Sequence, residues 1–241
     1  MQPEEYVTAL RREGALLAEA AERAGLDAPV PSCPGWTVAD LVWHVGEVHD
    51  FWRRIVEQRV TDRTEISREL ERPPDDELVA WYRDGLERLA GVLEAADPST
   101  AVWTWTPEKH AGWVRRRMAQ ETVVHRVDAE LAGGQVSPVD PALAVDGIDE
   151  FFQFWTPDRA KDAAPLDGSV HLHATDAQGE WLVTATGDQL RVTRGHAKGD
   201  ATARATASDL LLLLWRRGHG EVEVHGDQAV LDRLLAHTDL D

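Results

Sequence analysis

Cysteine is nearly absent: Cys33 stands alone in 241 residues, which excludes an internal disulfide and any cysteine-based zinc cluster. Long apolar runs are missing too, since none approaches the roughly 18 residues that a membrane helix requires. No charged-then-apolar leader opens the chain, whose first residues, Met1-Gln2-Pro3-Glu4-Glu5, are acidic. The expectation is a soluble cytoplasmic protein with no membrane partner. Basic side chains are also scarce. Twenty-five Lys and Arg face 43 Asp and Glu, a net charge of −18, which argues against nucleic acid as a partner because phosphates need a basic surface. The acidic excess reads as solubility. No internal repeat or low-complexity segment appears. What is present is a hydrophobic content of 43% with ten tryptophans, enough for the core of one large domain or two modest ones.

The first half predicts four helices. Residues 3–24 place Val7, Leu10, Leu17 and Ala21 along one face, with Pro3 suited to a first helical position and Gly25 to a C-terminal cap. A turn-rich connection, Pro29-Val30-Pro31-Ser32-Cys33-Pro34-Gly35, follows. The second helix, 38–59, opens on a capping box of Thr37 and Asp40, with Trp36 and Leu41 placed as a hydrophobic staple. Residues 75–96 form the third helix, with Leu78, Trp81, Leu89 and Val92 turned inward. A Trp-rich connection leads to the fourth, 112–132, closed by Gly133-Gly134, where glycine can take the left-handed cap conformation. Four helices of this length pack most simply as a bundle, whose facing side chains commonly build metal sites.

The fourth helix carries the chemistry. At roughly 100° per residue, Glu121 and His125 lie a turn apart on one stripe and Asp128 falls almost above Glu121. Val114, Met118 and Ala132 continue that stripe, so the ionisable groups occupy what reads as the buried side. Buried ionisable groups are costly unless paired or bound to a metal. His44, one turn past the Thr37 cap, is the candidate third ligand beside Glu121 and His125, and three protein ligands describe an open, catalytic site. A plainer account keeps His125 hydrogen-bonded in the core and Glu121 paired to an arginine such as Arg116 or Arg117. His49 lies roughly 500° on from His44 and points away, as a surface histidine or one supporting the ligands from behind. Asp128 is a candidate for orienting a ligating histidine. Cys33 has no evident base beside it and reads as a small packed residue next to Trp36. The tryptophans at 103, 105 and 113 either line a cleft or pack.

The second half changes period. One helix is expected at 141–155, with Leu143, Ile148 and Phe152 apolar; strands follow at 169–174, 179–186, 189–194 and 201–206, separated by turns such as Thr186-Gly187-Asp188-Gln189. Ser208-Asp209 is expected to cap an apolar helix at 210–215, then come a strand at 221–225 and a closing helix at 227–236. The fold class is α+β. The expected division is a helical metal-binding domain over 1–158, including the connecting helix, and a smaller α+β domain over 159–241.

Three stretches, in order along the chain, resemble one family. They are Val30-Pro31-Ser32-Cys33-Pro34-Gly35-Trp36-Thr37-Val38-Ala39-Asp40-Leu41-Val42-Trp43-His44; Trp113 through Arg116 with Glu121-Thr122-Val123-Val124-His125-Arg126-Val127-Asp128; and Asp209 through Arg217 followed by Val222-Glu223-Val224-His225-Gly226-Asp227. Together they resemble the mycothiol-dependent maleylpyruvate isomerases, DinB-like four-helix-bundle proteins with a C-terminal domain similar to sterol carrier proteins. The resemblance implies that His44, Glu121 and His125 bind a divalent metal, usually zinc, although nitrogen and oxygen ligands also suit nickel, iron, cobalt or manganese. It further implies that an arginine of the C-terminal domain lines the cleft and binds the substrate carboxylate. The matching position is Arg217, with Arg216 standing where relatives often have glycine.

The implied chemistry is thiol-based. Metal coordination would favour the thiolate of mycothiol, which adds to the double bond of a cis enedione acid. Rotation about the resulting single bond and loss of the thiol give the trans isomer. Given a leaving group, the same apparatus transfers or conjugates the thiol. The expected partners are therefore a small electrophilic substrate and a low-molecular-weight thiol, on a monomer. Two other readings differ in class: a metal-binding module without turnover, and a carrier of small apolar ligands, to which the apolar run at 210–215 lends weak support because a core helix looks the same.

Overall fold

The computed structural model describes residues 1–67, 69–155, 166–186, 189–218 and 220–237. It divides into two compact units, Met1–Ser137 and Pro138–Asp241.

The first unit is built from α1 (Pro3–Ala24), α2 (Val38–Glu57), α3 (Asp75–Ala95) and α4 (Ala111–Ala132), with a short 3-10 turn at Arg63–Glu65. Helix α1 packs on α4 and α3, and α2 on α3 and α4. The predicted stripe Val7, Leu10, Leu17 and Ala21 is buried throughout. Each boundary has a local cause. Both halves of the Thr37–Asp40 capping box form, Asp40 N donating to Thr37 Oγ1 at 3.3 Å and Thr37 N to Asp40 Oδ2 at 3.0 Å. Helix α2 stops at Glu57, and Arg59 then turns the chain with a φ of 53°. Beyond α4 the left-handed conformation falls to Gly134, at φ 71°, while Gly133 stays right-handed. On α3, Leu93 rather than Val92 takes the buried position. Trp81 is half-buried, stacked on Trp43 with ring centroids 5.1 Å apart.

The second unit begins with α5 (Pro141–Phe154), followed by β1 (Ser169–Ala174), β2 (Glu180–Thr186), β3 (Gln189–Arg194), β4 (Ala201–Ala205), α6 (Ala207–Leu214), β5 (Glu223–Gly226) and α7 (Gln228–His237). The strands form one five-stranded sheet in the order β3-β2-β1-β4-β5, with β1 and β4 parallel and the other pairs antiparallel. Val170, Leu172, Trp181, Val183, Ala201 and Ala203 are buried on one face. Helices α6 and α7 lie against β1 and β4, and α5 packs on α6. Trp181 Nε1 donates to Asp149 Oδ1 at 2.8 Å, tying β2 to α5.

Helical content thus comes first and the sheet second, an α+β arrangement. The unit boundary falls at Ser137/Pro138, so the connecting helix groups with the sheet, because its apolar face meets α6. The division expected at 158/159 and the centre of the expected turn at 187–188 lie outside the described residues. The cap of α6 differs from expectation. Thr206 is the N-cap, its Oγ1 accepting from Asp209 N at 3.1 Å, while Ser208 Oγ accepts from Val139 N at 2.9 Å. Thr206 offers its β-branched hydroxyl directly after β4, two residues before Ser208, and the helix takes it.

Candidate metal centre

Two helices bring the predicted residues together. Helix α2 carries His44 one turn beyond its capped start, and the middle of α4 carries Glu121 and His125. Each of the three offers a ligand atom within 4.8 Å of the others. Glu121 Oε1 lies 3.5 Å from His44 Nε2 and 3.3 Å from His125 Nε2. Those separations exceed the roughly 2.7–2.9 Å of a strong charge-assisted hydrogen bond. They match the edge of a tetrahedron with bonds of about 2.0–2.1 Å, which is ~3.4 Å.

The surroundings prepare each donor differently. His125 Nδ1 stands 2.8 Å from Asp128 Oδ2, and Asp128 is wholly buried. Ser32 Oγ donates to the other oxygen, Oδ1, at 2.5 Å, and Cys33 Sγ lies 3.7 Å from Oδ2. A proton on Nδ1 facing that carboxylate leaves the Nε2 lone pair directed at Glu121. Arg117, itself buried, pairs with Glu121 Oε2 and leaves Oε1 toward the two imidazoles. Pairing with an arginine and convergence on the histidines therefore coexist, one oxygen serving each. His44 packs against the Trp36 ring, centroids 5.0 Å apart, and meets the His125 ring edge-on at 5.1 Å. At 33% side-chain exposure it is the open edge of the group, against 16% for Glu121 and 13% for His125.

The electrostatics ask for a cation. Burial works against a charged His125, yet hydrogen bonding to Asp128 and Glu121 prevails and lifts its pKa to about 9. Burial likewise opposes ionisation of Glu121, but the Arg117 charge and the two imidazoles hold it well below the usual carboxylate range. Without a metal, a proton on His125 answers the carboxylates. A divalent ion would answer them more completely, and two imidazoles with one carboxylate are ligands that suit zinc and its neighbours.

His49 is not at the surface: it is fully buried, its Nε2 2.8 Å from Thr122 Oγ1 and its ring stacked on Tyr82 at 5.6 Å. It does point away from His44 around α2, but that side is covered by α3 and α4. Burial pushes its pKa down to about 3, so it is neutral. The tryptophans form a packing cluster. Trp52 stacks on Trp103 at 6.0 Å and meets Trp113 at 5.3 Å, while Trp105 meets Trp113 at 5.3 Å and is itself 45% exposed. Cys33 packs beside Trp36 against the core. Arg126, also on α4, is buried with its guanidinium 3.0 Å from Glu13 and 2.6 Å from Glu130. Arg217 belongs to the second unit, where its Nη1 donates to Trp215 O at 2.8 Å. Its neighbour Arg216 has a φ of 60°, the left-handed backbone that favours glycine. Ser32 was not singled out in the sequence.

The comparisons cover nearly the whole chain. The family model described as "Mycothiol maleylpyruvate isomerase N-terminal domain" matches residues 7–130, and the "MDMPI C-terminal domain" model matches residues 142–233. Two solved structures of a mycothiol-dependent maleylpyruvate isomerase, one of them a mutant, share the fold. TM-scores are 0.66 for the mutant and 0.64 for the other, each at 13% identity and covering 93% of both chains. No curated protein matches the sequence. No described helix is long and apolar enough to cross a membrane. Both domain models, in this order, place the chain in the mycothiol-dependent maleylpyruvate isomerase family.

Proposed function

We propose that this chain is a metal-dependent enzyme that uses a low-molecular-weight thiol, mycothiol by family, to isomerise or thiolate a small electrophilic acid. The observation that carries the reading is the convergence of His44 Nε2 and His125 Nε2 on one oxygen of Glu121 at tetrahedral-edge separations. A divalent ion, zinc in the first instance, would be held by these three residues and would stabilise the thiolate form of the thiol at its remaining position.

The chain's own groups do the rest. Asp128 holds the proton on His125 Nδ1 and so fixes the ring and its tautomer. Arg117 neutralises one oxygen of Glu121, so the site keeps a modest negative charge. Trp36 braces His44 and shields it from water on one side. Arg217 is the candidate for binding the substrate carboxylate, a task suited to the planar guanidinium fork. In the isomerisation, the thiolate adds to the conjugated double bond, the electron pair moves onto the neighbouring carbonyl, and rotation about the new single bond follows. Collapse of the enolate expels the thiolate, with no net consumption of thiol. The apolar run of α6 is taken up in packing, with Leu210, Leu211, Leu212 and Leu214 buried, which gives no support to the carrier reading.

The test is turnover. Mycothiol with maleylpyruvate, or with a panel of related electrophiles, should yield product that disappears on chelation and in His125→Ala. Product formed without thiol, or undiminished in His125→Ala, would overturn the assignment. Zinc binding without any thiol-dependent turnover would favour a binding module instead.

A further inference from the structure

The second unit contains an anomaly on the face of the sheet opposite its apolar core. Burial along β1 should alternate, yet His171, between the buried Val170 and Leu172, is itself only 3% exposed. Its Nε2 is buried with no hydrogen-bond partner. An unpartnered buried nitrogen is costly, so this ring needs an explanation.

Three further side chains surround it. His173 is two residues on along β1, on the same face. Glu180 opens β2 directly opposite His173 in the register. The chain leaves β3 at Arg194, turns through Gly195 at φ 123° with Gly195 N donating to Glu180 O at 3.1 Å, and so delivers His196 beside the same carboxylate. His173 Nδ1 lies 2.6 Å from Glu180 Oε1, and His196 Nδ1 3.2 Å from Oε2. His171 Nε2 is 3.9 Å from Oε2, too far for a hydrogen bond. The His171 ring meets His196 at 5.3 Å and His173 at 5.9 Å. Each of the four residues presents a ligand atom within 4.8 Å of the rest.

Glu180 satisfies two of these imidazoles as an ordinary acceptor but leaves the buried one unpartnered. We propose that His171, His173, Glu180 and His196 form a second divalent-metal site, separate in kind from the His44–Glu121–His125 group. Three imidazoles and a carboxylate suit zinc, cobalt, nickel or copper rather than calcium or magnesium. Four protein ligands fill a tetrahedral ion, which makes this a closed, structural site that staples β1, β2 and the segment after β3. Closing on such an ion would bring His171 Nε2 nearer to Glu180 from 3.9 Å and open the 2.6 Å His173–Glu180 pair toward the ~3.4 Å edge of a tetrahedron, with the 81%-exposed side chain of His196 the easiest to move.

The experiment uses the full chain, stripped with a chelator and reloaded with zinc alone. Metal content, zinc affinity and melting temperature are compared for wild type, His196→Ala and Glu180→Gln. Neither change removes a core side chain, so both variants should fold. The site predicts that each loses one equivalent of tightly bound zinc relative to wild type, whatever the first cluster binds, with at least a tenfold fall in affinity. It also predicts that a zinc-induced rise in melting temperature persists in His44→Ala/His125→Ala and vanishes when His171→Ala is added. Unchanged zinc stoichiometry in both His196→Ala and Glu180→Gln would overturn the proposal. If the double variant of the first cluster fails to fold, the stoichiometry comparison decides alone. Loss of thiol-dependent turnover in His125→Ala bears only on the other site.

Discussion

His125 Nδ1 and Asp128 Oδ2 face one another at 2.8 Å across a single helical turn, in a place where Asp128 has no exposure to water. A carboxylate so placed acts through the ring it holds. Asp128→Asn should therefore lower zinc affinity at the first cluster about 10–100-fold while leaving the fold intact. Competition against a chromogenic chelator measures this, with circular dichroism to confirm the fold. Wild-type affinity in Asp128→Asn would show that His125 is positioned by other means.

His49 makes stability depend on pH. Its folded pKa of about 3 lies below the ordinary 6.5, because burial disfavours the charged ring. Between those values the unfolded chain binds a proton that the folded chain does not, so stability falls as pH falls through the unfolded pKa toward 3. By linkage the loss at pH 5 is ~2 kcal/mol relative to pH 8. Urea unfolding of wild type and His49→Gln at both pH values should show the difference shrinking by about that amount in the variant.

Arg126 should matter to folding and not to metal. Its guanidinium is buried between Glu13 and Glu130 and also donates to Ser137 O at 2.7 Å. Arg126→Met leaves the buried Glu130 without its cation and Glu13 with only the half-exposed Arg12, a loss of ~3–5 kcal/mol. A large drop in the urea midpoint with zinc affinity preserved in the folded fraction is the expected pair of results.

Gly46 marks a close approach of helices. A Cβ there would run into the ring of Trp81, which stacks on Trp43. Gly46→Ala should cost about 1–3 kcal/mol through displacement of that ring, despite alanine's better helix propensity. Thermal melting measures it.

Local features were the legible ones. Thr37 and Asp40 announced α2 because a capping box is written in four consecutive residues, and the Glu121–His125–Asp128 stripe follows from helical periodicity alone. His44 was nameable, but its approach to Glu121 is tertiary, and the supporting evidence was the resemblance rather than spacing. His49 shows the limit: a helical angle tells which way a side chain points relative to another, not what covers it. The cap of α6 falls on Thr206, the hydroxyl nearest the end of β4, because Ser208 Oγ is taken by the tertiary bond from Val139 N, which local spacing does not show. The His171–His173–Glu180–His196 group depends on cross-strand register and a glycine turn.

The most direct measurement is a titration of the cobalt-substituted protein with mycothiol, followed by absorption. His196→Ala serves as the parent, so that the second cluster no longer binds cobalt tightly. The account predicts a sulfur-to-cobalt charge-transfer band that grows to one thiol per chain and is lost in His125→Ala. A cobalt-loaded protein that shows no such band, or one that keeps it in His125→Ala, would contradict the claim that His44, Glu121 and His125 hold a metal open to a thiol.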